Sequence, residues 1–348
     1  MAEGRNLVGV DIGSSSIKVC EIKEGKAGVR SLVRFGYHPL PPQTIVDGHV
    51  MNSGAIVEGL EKLFHKAKRR DVALRISGHS VIIKKINIPL MTAEELSQQI
   101  NWEAEQYIPF DIADVQIDYQ VLQERPDAGQ MEVLLVAAKR EEIGDLTNLA
   151  FEARLKPRVV DLDAFTVQNC FEAAYGGFPA GQTIALLHMG ASIATLNMVS
   201  NGLTAFTRDI TSGGNAITAE VQRRLGVSFE EAELFKCGQS AQPAPPQVAD
   251  IVREGAVALA GEIQRSLDFY IATSGDRNID KIYVSGGNAN VRPLLEAVAA
   301  GARVPVEMID PLQLAAPDPK LIDLTQLQAR VSQISVACGL ALRKDRER

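Results

Sequence analysis

The stretch Leu7-Val-Gly-Val-Asp-Ile-Gly-Ser-Ser-Ser-Ile-Lys18 decides the fold of this chain. Residues Leu7–Ile12 are apolar and rich in β-branched side chains, which is typical of a buried strand. A small-residue loop follows, and a second apolar run, Ile17–Ile22, leaves it; the loop consists of Gly13, Ser14, Ser15 and Ser16. The pattern predicts two strands joined by a tight, serine-rich turn.

A turn of this kind can bind an anion, because its backbone N–H groups and serine hydroxyls can point at one place. Asp11 lies at the mouth of the loop, where its carboxylate could hold a hydrated Mg²⁺ against a phosphate group. Lys18 would add a positive charge to the same site. The alternative is a structural hairpin in which a buried Asp11 caps the turn.

A second copy of the pattern favours the phosphate interpretation. The apolar run Thr183–Gly190 also ends in a small-residue loop, and a further strand leaves it; this loop consists of Gly190, Ala191 and Ser192. In both copies a turn glycine follows 12 positions after the loop glycine: Gly25 after Gly13, and Gly202 after Gly190. Third strands are predicted over Val29–Tyr37 and Leu203–Ile210. Two such halves facing each other would hold a phosphate chain from both sides.

Composition and charge limit the class of protein. With 348 residues, the chain is long enough for two domains or one large bilobed domain. A net charge of −7 argues against nonspecific binding to nucleic acid or anionic lipid. The four cysteines lack metal-ligand spacing, which favours buried hydrophobic roles in a reducing compartment. Without a signal peptide or an apolar run long enough to span a membrane, we expect a cytoplasmic protein.

The chain between the two copies predicts an inserted subdomain. A helix beginning at Asn52 or Ser53 is expected to run to about Lys68, and residues 72–154 then form a compact α+β block. The block contains the only tryptophan, Trp102, on a helix that Thr92 caps. We interpret Trp102 and Tyr107 as packed in the core of the block, with exposure to a binding groove as the alternative.

The remaining sequence predicts two cores. Residues 1–71 and 155–177 form the first core, completed by the C-terminal segment 326–348, and residues 178–325 form the second. A last amphipathic helix is predicted over Gln326–Arg343, followed by a charged, frayed tail.

Two glycine-rich turns extend the candidate site. Gly286 and Gly287 follow a buried strand and would let another group approach the backbone closely. With the two phosphate-type loops, the chain resembles the actin-like ATPase superfamily, which includes actin, sugar kinases, chaperone ATPases and the cell-division protein FtsA. The resemblance implies an α/β fold of duplicated, ribonuclease H-like domains around a nucleotide cleft, with an inserted FtsA-type subdomain. It also implies that the nucleoside is held by Gly213, Gly214, Asn215, Glu233, Lys236, Gly286, Gly287 and Asn288.

The insert narrows the resemblance. The runs Ile83–Met91, Asn101–Phe110 and Asp118–Leu122 resemble the PilM family of type IV pilus assembly proteins. This resemblance implies ATP and Mg²⁺ binding. It further implies a groove between the insert and the core that receives the cytoplasmic N-terminal tail of the inner-membrane protein PilN. Nucleotide state would thereby be linked to pilus biogenesis and twitching motility, with other pilus components as further partners and membrane contact only through PilN.

One position departs from the superfamily pattern. The second loop usually carries Asp two residues before its glycine, and this chain has His188 there. A neutral imidazole cannot replace a carboxylate beside Mg²⁺ or an attacking water, so we expect ATP binding with weak or absent hydrolysis. The alternative is that His188 only packs at a strand end. Asp163 and Asp161 are candidates for a residual water-orienting role, with capping of the next helix as the structural alternative.

Two other functions stay open on the sequence. A small-molecule kinase of the same superfamily would need a base aimed at a substrate hydroxyl, and no sugar-binding signature is found. An FtsA-like, filament-forming scaffold would carry a membrane-targeting helix at its end.

Overall fold

The opening hairpin is present. A computed structural model describes residues 4–25, 28–78, 81–275 and 278–346 of the chain. In it, β1 (Val8–Ile12) is buried along its whole length. β1 pairs antiparallel with β2 (Ser16–Glu24), and β2 pairs antiparallel with β3 (Arg30–Pro39). The described residues further contain, in chain order, β4 (Ile45–Val46), β5 (His49–Val50), α1 (Ser53–Phe64), β6 (Asp71–Ile76), β7 (Val81–Pro89), α2 (Ala93–Glu105), β8 (Val115–Arg125), β9 (Gln130–Lys139), α3 (Arg140–Glu152), β10 (Lys156–Leu162), α4 (Asp163–Tyr175), β11 (Thr183–Met189), β12 (Ala194–Ser200), β13 (Leu203–Ile210), α5 (Gly214–Leu225), α6 (Phe229–Lys236), α7 (Gln247–Ser274), β14 (Lys281–Ser285), α8 (Arg292–Ala302), β15 (Val306–Met308), β16 (Ala316–Pro317), α9 (Leu324–Gln328) and α10 (Ser335–Leu340).

Two sheets repeat one topology. The first has the order β10-β6-β1-β2-β3-β16, and the second has the order β13-β12-β11-β14-β15. In each sheet the first three strands of the copy are antiparallel, and a later strand, β6 or β14, lies parallel to the first strand. The duplication predicted from the glycine spacing is therefore confirmed in the strand pairing.

Helices are exchanged between the two sheets. α4 follows β10 of the first sheet but packs on β11 and β12 of the second. α10 lies near the C-terminal end of the described chain and packs on α4 and on β1 and β2 of the first sheet. The backbones come very close here: a Cβ atom on Gly9 would collide with the Ala337 carbonyl oxygen, and one on Gly339 with that of Thr166. Only glycine fits at these two crossings.

Residues Ile76–Asn148 form a compact unit of their own. Its sheet has the order β7-β9-β8, and apolar side chains alternate along β7 and β9 on one face. Leu96, Ile100 and Ala104 repeat every four residues on α2 and join the same hydrophobic core. The insert boundaries expected at 72 and 154 lie outside this unit, because Val72–Leu74 pair with β1 in the first sheet.

The prediction of one helix over Gln326–Arg343 is wrong. The segment forms α9, a short 3₁₀ turn over Val331–Gln333, and α10. Tertiary hydrogen bonds explain the break: Gly286 N–H donates to the Ser332 carbonyl at 2.7 Å, and Asn290 donates to the Ser332 hydroxyl at 2.8 Å. The expected frayed tail is also wrong up to Asp345, since Leu7 N–H donates to the Arg343 carbonyl and Asn6 forms a β-bridge with Lys344.

Two local expectations differ as well. The helix that Asn52 caps ends at Phe64 and does not continue to Lys68. Trp102 is 65% exposed on α2, although Tyr107 packs at the edge of the insert core as expected. No helix within the described ranges combines the length and apolarity that crossing a membrane requires.

Candidate functional site

The two small-residue loops have the same closure. Gly13 N–H donates to the Ser16 carbonyl at 3.0 Å, and Gly190 N–H donates to the Ile193 carbonyl at 3.0 Å. Each loop thus turns tightly between the first two strands of its sheet. The carbonyl of Ser15 accepts from Leu40 N–H at 2.9 Å, which fixes the first loop to the end of β3.

The loops meet each other. The Ser192 hydroxyl donates to the Ser14 hydroxyl at 2.9 Å, and the Asn215 amide donates to the Ser192 hydroxyl at 3.3 Å. The Ser16 hydroxyl is buried and has no hydrogen-bond partner among the residues that the structure describes. A buried hydroxyl in this state is a donor that a phosphate oxygen would satisfy.

A charged cluster lies behind the first loop. Lys18 Nζ is 3.2 Å from Asp11 Oδ2, and Arg75 Nε is 3.1 Å from Asp11 Oδ1. Arg75 Nη1 is also 2.8 Å from Asp163 Oδ2. Burial acts to raise the pKa of Asp11, but the charges of Lys18 and Arg75 outweigh it and lower that pKa. Burial acts likewise to lower the pKa of Arg75, and the carboxylates of Asp163 and Asp11 reverse that effect. Asp11 and Arg75 are therefore both charged at neutral pH.

His188 lies at the end of β11, near this cluster. Burial lowers its pKa to about 4, against the opposing charge of Asp11. The imidazole is consequently neutral at neutral pH, and its Nδ1 atom is 2.9 Å from the Ser285 hydroxyl.

The glycine-rich turns are joined to the second loop. Asn288 donates through its amide nitrogen to the Gly190 carbonyl at 2.7 Å, and Asn215 N–H donates to the Ala191 carbonyl at 2.8 Å. A Cβ atom on Gly214 would overlap the Asn288 side chain, and one on Gly213 would press on the backbone of the second loop. Gly286 has a φ of +95°, and a Cβ atom there would collide with the Met189 backbone. Gly287 follows it and lies against Gln333.

Lys236 holds these turns together. Its ammonium donates to the Gly214 carbonyl at 3.2 Å and to Asn288 Oδ1 at 3.3 Å, and it pairs with Glu233 at 2.7 Å. Burial acts to raise the pKa of Glu233, but Lys236 and a hydrogen bond from Thr218 lower it overall. A direct contact of Glu233 or Lys236 with a nucleoside stays a prediction.

A cavity of about 710 Å³ adjoins Lys236. Side chains of α6, α7 and α8 and the loop before α7 line it, and most of them are apolar, among them Phe235, Val252 and Val291. Such a lining fits a planar base better than a phosphate group.

The predicted residues are thus brought together, and sequence reasoning missed one member. Arg75 follows the buried apolar residues 72–74 in β6, and a charged side chain next to such a run signals a required partner. Asp161 lies apart from the cluster: its carboxylate accepts from Leu162 N–H and pairs with Arg343 at 3.4 Å.

The site fits a nucleotide better than it fits a bound metal. Two glycine-closed loops, a buried unsatisfied hydroxyl and two cations suit a phosphate chain. Direct coordination of Mg²⁺ by Asp11 does not fit, because both of its oxygens are in ion pairs. The described residues also contain no group of three His, Cys, Asp or Glu side chains that could hold a metal ion.

Comparisons with known proteins agree with this architecture. The family model described as type IV pilus assembly protein PilM matches residues 9–345. A solved PilM–PilN type IV pilus biogenesis complex contains a chain 27% identical, with a TM-score of 0.86, covering 99% of this chain and 100% of that one.

Two more distant structures share the fold alone. The ethanolamine utilization protein EutJ from Carboxydothermus hydrogenoformans is 14% identical, with a TM-score of 0.56 over 97% of this chain and 89% of its own. MreB 5 of Spiroplasma citri, solved bound to AMPPNP, is 12% identical, with a TM-score of 0.51 over 97% of this chain and 95% of its own. The fold is therefore the α/β actin-like ATPase fold that the sequence resemblance implied.

Proposed function

Because the chain belongs to the PilM family of type IV pilus assembly proteins, we propose that it is a nucleotide-binding assembly component that binds PilN. The hydrogen bond between the two phosphate-type loops, at Ser14 and Ser192, is the observation that carries the nucleotide part. It brings together the two turns that would hold a phosphate chain from opposite sides. ATP is the proposed ligand.

Each group has a proposed role. The N–H groups and hydroxyls of both loops bind the phosphates, and the turns around Gly214 and Asn288 support the nucleoside. The apolar cavity beside Lys236 supports a base at that end. The role of Asp11 is to position Lys18 and Arg75.

Hydrolysis is proposed to be slow. His188 is neutral, and Asp163, the candidate for orienting an attacking water, is already ion-paired with Arg75. Removing one well-placed electrostatic group from an active site typically lowers the rate about 100- to 1000-fold. The pairing of Asp163 also argues against a kinase, since a general base has to be available to the substrate hydroxyl.

The PilN part is supported by the similarity to the PilM chain of the solved complex. We propose that the N-terminal segment of PilN binds through the inserted unit, as the sequence resemblance implies, and that the chain reaches the inner membrane through PilN. Trp102 supports this, because exposed tryptophans are enriched at protein interfaces. α10 does not support a membrane-targeting role, since its residues are buried against β1 and α4.

Calorimetric titration of a PilN N-terminal peptide, with and without ATP, tests the proposal. We expect the peptide to bind both with and without ATP, but with different affinities. Nucleotide bound between the loops would shift the conformational equilibrium of the chain, and peptide affinity would change with it. Equal peptide affinity with and without ATP would show that nucleotide binding does not affect PilN binding. No peptide binding by a protein that binds ATP would refute the PilN part and leave the nucleotide part standing.

A further inference from the structure

The carboxylate of Asp11 is already occupied by cations. Lys18 and Arg75 each pair with one of its oxygens, at 3.2 and 3.1 Å, and the residue is only 3% exposed. Mg²⁺ takes oxygen ligands at about 2.0–2.1 Å, or holds them through its waters. A magnesium ion bound directly to Asp11 would have to compete with these two cations for its oxygens.

The opposite loop offers no substitute carboxylate. His188 stands there, half-buried, with its Nδ1 atom 2.9 Å from the Ser285 hydroxyl. Imidazole is a poor ligand for Mg²⁺, which prefers oxygen donors.

Both cations reach the phosphate loop. Measured from the position where a Cβ on Gly13 would lie, Lys18 Nζ is 3.1 Å away and Arg75 Nη2 is 3.7 Å away. Asp163 holds the other end of the guanidinium at 2.8 Å, so Arg75 is positioned from two sides. Two positive charges therefore lie against the turn that would receive the terminal phosphates.

We propose that Lys18 and Arg75 replace the divalent cation at this site, so that ATP binds without Mg²⁺. Arg75 is a phosphate-binding residue in this arrangement, and Asp11 and Asp163 are its positioning residues. The inference rests on the nucleotide binding proposed above and adds how the phosphate charge is neutralised.

Titration of ATP into the full chain, in EDTA and in excess MgCl₂ at matched ionic strength, tests the inference. We expect the two dissociation constants to agree within about threefold, because the neutralising charge belongs to the protein. Weakening of about tenfold or more in EDTA would overturn the inference while upholding nucleotide binding. Absence of binding in both buffers would refute the proposed function itself.

The variant Arg75→Gln sharpens the test. It removes one cation and leaves Asp11 with an oxygen available to a hydrated metal ion, so binding in EDTA should fall by about tenfold or more, and Mg²⁺ should restore part of it. Arg69→Gln is the matched control, since Arg69 donates to the Asn6 carbonyl and not to the cluster. Wild-type affinity of Arg75→Gln in EDTA would contradict the inference.

Thermal unfolding would show whether Arg75→Gln folds. If it does not, a second variant still tests whether ATP binding requires Mg²⁺. His188→Asp adds a carboxylate opposite Asp11 while keeping both cations. We expect binding to become stronger in MgCl₂ than in EDTA, by about tenfold. If His188→Asp and the wild type both require Mg²⁺ to the same extent, the inference is wrong.

Discussion

The Ser192 hydroxyl donates a 2.9 Å hydrogen bond to the Ser14 hydroxyl, 178 positions earlier in the chain. Each residue comes from the tight turn of its own sheet, so this bond joins the two copies of the repeated hairpin. A phosphate chain entering between the turns would take over both hydroxyls.

Removing either hydroxyl should weaken ATP binding. Ser14→Ala and Ser192→Ala each delete one hydrogen-bonding group, which corresponds to about 2- to 10-fold in the dissociation constant. Ser200→Ala is the matched control, because Ser200 accepts a similar hydrogen bond from Thr183 at 3.0 Å, at the far end of β12. Calorimetry compares the three; equal affinities for Ser14→Ala and Ser200→Ala would refute the assignment.

His188 should make stability depend on pH. In the unfolded chain its pKa is near 6.5, and in the native protein it is about 4, so the unfolded state binds the proton first as pH falls. The contribution is complete above pH 6.5 and is lost between that pH and about 4, amounting to about 3 kcal/mol.

Denaturant unfolding at pH 7 and at about pH 4 measures this loss. His188→Asn, which keeps a polar atom near Ser285, should reduce the pH dependence, whereas His65→Asn at the exposed end of α1 should leave it unchanged. The expectation fails if wild type and His188→Asn lose the same stability.

Trp102 should report the binding of PilN. It is the only tryptophan in the chain, and its side chain is 65% exposed on α2 of the inserted unit. Covering the indole should shift its emission to shorter wavelength during a peptide titration, and Trp102→Ala should weaken binding by about tenfold or more. Val257→Ala, which truncates a 60% exposed side chain on α7, is the control. Unchanged emission during calorimetrically proven binding would place the peptide elsewhere.

Gly9→Ala should destabilise the fold. The added methyl group would collide with the carbonyl of Ala337 on α10, and overpacking of this kind costs about 1–3 kcal/mol. Gly54→Ala is the control, because Gly54 is exposed in the first turn of α1 and its Cβ would meet only Asn52 Oδ1, at 3.6 Å. The free energy of unfolding from denaturant titration separates the two; equal values would show that α10 can shift away from β1.

Local patterns predicted the parts of the fold that local physics determines. The glycine spacing placed both hairpins, because a tight turn between buried strands needs small residues wherever the strands lie. The cap predicted at Thr92 placed the start of α2 for the same reason, and in the structure Thr92 and Glu95 form a capping box. The prediction of one C-terminal helix was wrong because the distant residues Gly286 and Asn290 hydrogen-bond to Ser332 and interrupt it. The amphipathic spacing of the segment does not depend on those partners and could not indicate them.

The site shows the same division. The loop residues could be predicted because glycine and serine directly after a buried strand indicate a tight turn that can bind an anion. Arg75 could not, because its partners Asp11 and Asp163 lie 64 and 88 positions away in the sequence. Trp102 was assigned to the core because aromatic residues at helical spacing are usually packed. A side chain kept exposed for a partner follows the same spacing, and only the fold distinguishes the two cases.

The exchange of helices between the sheets sets an order for synthesis. The sheet that begins at residue 8 is covered by α10, which the ribosome makes last among the helices described, and β16 completes its edge almost as late. The inserted unit, whose core comes from its own residues, can form while translation continues. A nascent or prematurely ended chain would then have a folded insert and an unfinished phosphate site, so nucleotide binding would mark a chain that has been translated through α10.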